Sequence, residues 1–238
     1  MLRRPLERLL SRSKGLDYRI DPEIGTAELA SMVVRQAIAL ARGLVRRRQP
    51  VFIERGVQLR SAHRIAIGRM SKIGAGCLIE GLARDGITIG RGVSLGRHGR
   101  IRATATLTEL GAGATIGDFV GLGDGFYLGA FGGVEIGTET IVGERLTVHS
   151  DNHDFDDVTK AIRHQATTGL PVRIGARCWL GSNVTILGGV QIGDDSVIGA
   201  GSVVTRSFPK GSILVGNPAR MIRNRFGDGP EPGQRNTN

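Results

Sequence analysis

An aliphatic residue returns every six positions along most of this 238-residue chain, a spacing that neither an α-helix nor an ordinary sandwich strand can produce. Ile67, Ile73 and Ile79 form one set, and Ile89, Leu95 and Ile101 a second. Ile116, Leu122 and Leu128 follow, then Ile136, Val142 and Val148. The longest run is Ile174, Leu180, Ile186, Ile192, Ile198 and Val204. Glycine follows most of these anchors, as at Gly68, Gly90, Gly117, Gly143, Gly175 and Gly199. A small or aliphatic residue stands two places before them, as at Val172, Cys178, Val184, Val190, Ser196 and Ser202. Six residues make a short strand and a tight turn. Three such units close a triangular coil, and about eighteen residues then climb one inter-strand spacing of ~4.8 Å. The anchors stack inside a narrow prism. The glycine after each anchor is expected to take backbone angles that a Cβ would resist. A prism this narrow excludes large rings, in keeping with only 4% aromatic residues beside 37 glycines. The fold class is therefore all-β, a parallel β-helix that buries its core only between neighbouring coils.

Three breaks in the step are the largest. Four extra residues lie between Ile79 and Ile89, and the phase shifts between Ile101 and Ile116, with Leu107 and Leu110 in the irregular passage. The largest break, between Val148 and Ile174, exceeds the step by twenty residues and carries His149, His153 and His164 among several aspartates. A long excursion from a strict solenoid is a place to look for function.

Charge is concentrated at the ends of the chain. Residues 1–48 carry eleven Arg and Lys against five acids, residues 206–238 six against two, and the stretch between has fifteen of each. That pattern implies an anionic partner at the termini. No nucleic-acid-binding motif accompanies it, so nucleic acid is not expected as a partner. Residues 28–48 read as a helix with Leu29, Val33, Ala37, Leu40 and Leu44 on one face and Arg35, Arg42, Arg46, Arg47 and Arg48 mainly on the others. A shorter basic segment runs from Leu2 to Leu10. Either the helix caps the open end of the prism, or its basic face meets anionic lipid or a lipid-linked substrate. Two cysteines without a CxxC, no signal peptide and no apolar run of membrane-spanning length point to a cytoplasmic protein, peripheral at the inner membrane face if the helix binds lipid. Three segments result: a basic helical extension over 1–50, the β-helix over 51–215 with a loop insertion at 150–171, and a basic segment with a Pro/Gly/Asn-rich tail over 216–238.

The run Val148-His-Ser-Asp-Asn-His-Asp-Phe-Asp156 has a histidine followed three residues later by aspartate. Downstream stand an Ile-Gly-x-x-x-Trp-Leu-Gly block from Ile174 to Gly181, a Gly-Ala-Gly-Ser-Val-Val-Thr segment ending at Thr205, and Gly-Asn-Pro-Ala-Arg ending at Arg220. These segments resemble the hexapeptide-repeat acyltransferase superfamily, closest to the galactoside, maltose and surface-polysaccharide O-acetyltransferases. The resemblance is close over residues 134–223 and rests on the repeat alone upstream. It implies a left-handed coil, a homotrimer, and transfer of an acetyl group from acetyl-CoA to a hydroxyl of a sugar-type acceptor, without a metal.

It also implies roles for individual residues. His153 becomes the general base, the task for which imidazole suits near-neutral pH, and the Ser182 N–H the oxyanion donor. Asn152, Asp156 and Trp179 become the active-site wall, with Asp156 holding the loop or orienting a neighbour. Gly181, Ser182, Ala200, Gly201, Thr205, Arg206, Lys210, Arg220 and Arg223 become the coenzyme A contacts. His149 is a second functional group or a wall residue, and His63 and His98 lie on coil turns. Cys77 and Cys178 fall at inward positions, which argues against an acyl-cysteine. One departure is that Gln165-Ala-Thr-Thr-Gly169 carries no carboxylate where the sugar acetyltransferases have one. A second is the basic helix in place of their compact N-terminal domain. Both favour a surface-polysaccharide or lipid-linked acceptor over a free disaccharide. Two other readings are a non-catalytic β-helix scaffold and a metal-dependent carbonic anhydrase built on His149 and His153 with a third histidine.

Overall fold

The computed structural model describes residues 4–8, 17–104 and 108–227. Leu107, most of the Leu2–Leu10 segment's ends and the tail beyond Gly227 lie outside the described residues; residues 4–8 are helical. After the helix α1 (Thr26–Arg47) the chain winds into a prism whose three faces are sheets of parallel strands, apart from the antiparallel last strand of one face. Face A has nine strands from Phe52–Ile53 to the Ala219–Asn224 strand, face B seven from Gln58–Arg60 to Val203–Val204, and face C six from Ile65–Ile67 to Gln191–Ile192. Equivalent anchors pair coil to coil, as Ile73↔Leu95 on face A and Leu180↔Ile198 higher up. The register passes straight over the long insertion, so that Ile136 pairs with Ile174. All eighteen expected anchors are buried in a single core. The polar residues two places before the anchors are buried as well, and each donates to a turn carbonyl: Ser71 Oγ to Gly90 O at 2.7 Å, Thr140 Oγ1 to Gly175 O at 2.8 Å, Ser196 Oγ to Gly193 O at 2.7 Å.

The glycine after the anchor proves to serve a different purpose from the one expected. It does not occupy the left-handed region. A Cβ there would instead strike the backbone of the next coil, at 2.4 Å from Arg91 N for Gly68 and 2.4 Å from the Gly123 carbonyl carbon for Gly96. The left-handed position lies two residues further on, and side chains occupy it repeatedly, as at Arg145 (φ 58°) and Asn183 (φ 58°). Coil spacing, not turn geometry, therefore selects the repeated glycine.

Helix α1 closes the lower end. Some first-coil amides donate upward, as Phe52 N to Ser71 O and Gln58 N to Cys77 O, which leaves the carbonyls of those same peptides facing the open end. Arg46 donates to Val57 O, Arg47 to Ala62 O and Ile65 O, and Gln49 to Ile67 O. Helix and coil touch backbone to backbone, since a Cβ on Gly43 would overlap Val51 O. The buried residues are Leu29, Ala39 and Gly43, flanked by the half-buried Val33, Leu40 and Arg47, whereas Ala37 and Leu44 of the expected face are exposed. Apolar residues lie on two sides of this helix, so hydropathy alone could not choose between them. Arg46 and Arg47 are correspondingly bound to the prism and do not belong to a free basic face.

Candidate active site

The prism has three edges, and the candidate residues divide among them. On the edge between faces A and B, successive turns stack Arg97, Asp124, Glu144, Ser182 and Ala200 in one column. Several turn amides are capped by a side-chain oxygen from the next coil: Asp124 Oδ1 accepts from Arg97 N at 2.7 Å and Ser182 Oγ from Glu144 N at 3.2 Å on this edge. Elsewhere Asp118 accepts from Arg91 N and Asp194 from Ala176 N, both at 2.9 Å. Above Ser182 stands Ala200, which has no oxygen to offer. Among the described residues nothing accepts from the Ser182 N–H. Other turn amides, such as those of Asp124 and Thr138, are likewise uncapped, so the Ser182 N–H is free to donate to water or to a ligand.

Beside it the left-handed column runs Arg145, Asn183, Gly201. Gly201 has φ 72°, and a Cβ there would meet nothing within 4 Å. Since Arg145 and Asn183 adopt the same conformation with full side chains, backbone freedom does not require glycine at 201. Its effect is to leave the turn above Ser182 open, with no atom near the position a Cβ would take. Trp179, 57% exposed, stands on face A beside this edge, in register with the exposed Ile141 below and Val197 above. The antiparallel pairing of Ser212–Gly216 with Ala219–Asn224 extends face A at the upper end and sets Arg220 and Arg223 on its surface, opposite Val215 and Ile213.

The insertion leaves from the edge between faces B and C and is a β-hairpin, with Asp151–His153 antiparallel to Thr167–Gly169. His153 is opposite Thr167, and its Nδ1 lies 3.2 Å from Thr167 Oγ1. A diagonal contact adds to it: Thr168, in register with Asn152, donates from Oγ1 to Asp154 Oδ1 at 3.0 Å. The carboxyl-free stretch 165–169 thus supplies hydroxyls to the histidine strand. Thr167 escaped the sequence reading because only the hairpin register reveals it. The His153 ring is exposed, as are Asn152 and Asp156. The loop beyond is held by Asp157, not Asp156: Asp157 Oδ1 accepts from Thr159 N and Oγ1, its Oδ2 pairs with Lys160 at 2.8 Å, and Gln165 bridges its backbone. Those bonds hold the Asp157 carboxyl below its usual range, the Lys160 contact most of all. His149 lies on face B with its ring 5.6 Å from that of Tyr127. Thr205 and Arg206 follow the last strand of face B on this same edge, Arg206 over the Phe208 ring at 5.3 Å.

Lys210 is apart from the rest, on the third edge. Its Nζ is 3.4 Å from Asp195 Oδ2, and Arg177 holds the Asp195 carboxyl at about 2 through its own hydrogen bonds to it. Cys77 and Cys178 are buried, donating to Gly96 O and Gly193 O. Burial pushes the Cys77 thiol up to about 11 and raises Cys178 too, so neither is suited to nucleophilic attack. Among the described residues no three His, Cys, Asp or Glu side chains converge as a metal site would require.

Residues 171–206 match the family described as "Hexapeptide repeat of succinyl-transferase". The putative colanic acid biosynthesis acetyltransferase WcaF of Escherichia coli is 33% identical over 134 residues, which cover 56% of this chain and 70% of that protein. The chain belongs to the hexapeptide-repeat acetyltransferases. A probable acetyltransferase of Mycobacterium tuberculosis, Rv3034c, is 34% identical over 139 residues, covering 58% of this chain and 44% of the relative. Two solved hexapeptide-repeat structures share the fold. The maltose O-acetyltransferase of Clostridium difficile is 22% identical with a TM-score of 0.50, over 68% of this chain and 71% of that one. A variant of the Bacillus cereus N-acyltransferase AntD, in complex with dTDP and coenzyme A, is 20% identical with a TM-score of 0.51, over 74% and 81%. The left-handed parallel β-helix expected from the resemblance is thus the fold of this acetyltransferase.

Proposed function

We propose that this protein transfers an acetyl group from acetyl-CoA to a hydroxyl of a surface-polysaccharide or lipid-linked sugar precursor. The open Ser182 amide carries this reading. A preorganised N–H left uncapped by Ala200, beside a turn that Gly201 leaves open, is what a tetrahedral oxyanion needs. With Nδ1–H donating to Thr167 Oγ1, His153 presents the Nε2 lone pair outward as a base. The acceptor hydroxyl then attacks the thioester carbonyl while Nε2 takes its proton. The intermediate's oxyanion is stabilised by the Ser182 N–H. Collapse breaks the C–S bond, and the departing thiolate recovers the proton from the imidazolium, giving the ester and free coenzyme A. Arg220 and Arg223 meet the donor's phosphates, with Arg206 available from the other edge; Lys210, engaged by Asp195, is less suited. The polysaccharide acceptor is favoured by the likeness to a protein named for colanic acid biosynthesis. A mass-shift screen with acetyl-CoA against free sugars, sugar nucleotides and lipid-linked oligosaccharides tests the proposal. Ester formation on a glycan hydroxyl is expected; acetylation of amino sugars alone would overturn it.

The two halves of this site flank face B. Within one chain a strand of face B, Thr185–Ile186, stands between the Ser182 turn and the edge that carries the hairpin, whereas a proton transfer needs approach to ~3 Å. The reading therefore places the complete site between adjacent copies of a homotrimer, with the hairpin of one meeting the Ser182 edge of the next. Thr167 is assigned as a positioning residue acting through His153. Thr167→Val should lower kcat about five- to tenfold, the effect of one neutral hydrogen bond, with the donor KM unchanged. Thr167→Ser should restore it. Equal loss in both variants would reject the assignment.

A further inference from the structure

Helix α1 has a second apolar side that the prism does not use. Val34, Ile38 and Val45 are 56%, 47% and 83% exposed, and their spacing of four and seven residues aligns them along the helix. At 100° per residue this line lies roughly opposite the packed Leu40 and Gly43. Next to it, still facing away from the prism, run Arg35 and Arg42, both exposed. The only acid on the helix is Glu28, in its first turn.

We propose that this outward side lies on an anionic lipid surface, with Val34, Ile38 and Val45 entering the acyl boundary and Arg35 and Arg42 at the headgroups. The charge decides between occupants. A second copy docking on the same stripe would bring these arginines against their own equivalents, which is unfavourable. Anionic headgroups complement them and accept the apolar line beside them. No helix among the described residues is long and apolar enough to cross a membrane, so the contact is interfacial. The prism end and its cap remain intact because the packed face is on the other side. The inference does not depend on the catalytic assignments.

The full chain should sediment with vesicles of phosphatidylglycerol and phosphatidylcholine, weakly with phosphatidylcholine alone, and less as salt rises. Arg35→Gln and Arg42→Gln should each weaken partition about fivefold. The triple replacement Val34→Ser, Ile38→Ser and Val45→Ser should abolish it, leaving the molecular mass and thermal midpoint unchanged. Wild-type protein that ignores anionic vesicles overturns the proposal, as does a triple variant that still sediments. A triple variant with a smaller oligomeric mass would also overturn it, by showing that the stripe is covered by a second copy.

Discussion

His153→Ala should lower turnover by about two to four orders of magnitude, the usual contribution of a positioned general base. The ring is exposed on the hairpin, and its recorded side-chain contact is with Thr167. Removing it leaves no cavity in the prism and no buried group unpaired, so the thermal midpoint should stay within about a degree or two of wild type. Donor affinity, measured by calorimetry with coenzyme A, should be unchanged because the arginines proposed to meet its phosphates are on other strands. A loss confined to kcat would separate the base from a binding role. Turnover close to wild type would remove His153 from the mechanism and redirect attention to His149, whose ring faces Tyr127 on the neighbouring strand.

The coil was legible because its period is set by geometry that every turn repeats. Ile174, Leu180, Ile186, Ile192, Ile198 and Val204 could be aligned without knowing what they touch, and all are buried. What could not be read is what depends on the coil above or below. The glycines were recognised as necessary but for the wrong reason, since the atoms they avoid belong to residues about twenty places away in the chain. Thr167 was invisible for the same reason, being brought to His153 by a hairpin register that the loop's composition does not encode. Helix α1 was recognised and its packed face partly misassigned: Gly43 and Arg47 outrank Ala37 and Leu44 there because backbone contact and carbonyl capping, not hydropathy, select them. Lys210 joined the donor contacts by its charge and sequence neighbours, yet the turn directs it to Asp195.

Ala200→Asp should silence the enzyme without unfolding it. The substitution places a carboxylate above the Ser182 N–H just as Asp124 stands above Arg97 N and Asp194 above Ala176 N, both within 2.9 Å. The prism already uses this cap, so the midpoint should hold or rise. The amide is then taken and a negative charge stands where the oxyanion forms, and the loss should reach at least the ~10²–10³ that follows removal of one oxyanion donor. Ala200→Ser, a neutral cap of the kind Ser182 provides to Glu144, should fall between. Wild-type turnover in the aspartate variant would show that the Ser182 amide is not the donor. The same variant tests how the site is assembled. Coexpressed with His153→Ala, it gives mixed oligomers in which each chain lacks one half. If base and oxyanion donor come from different chains of a trimer, random mixing leaves about a quarter of the sites with both halves intact. If one chain supplies both, no site is intact. Light scattering of the mixture should report about three times the 25.3 kDa chain. Recovery of activity is expected if the hairpin of one copy reaches the Ser182 edge of its neighbour, and its absence would place both groups of each site on one chain.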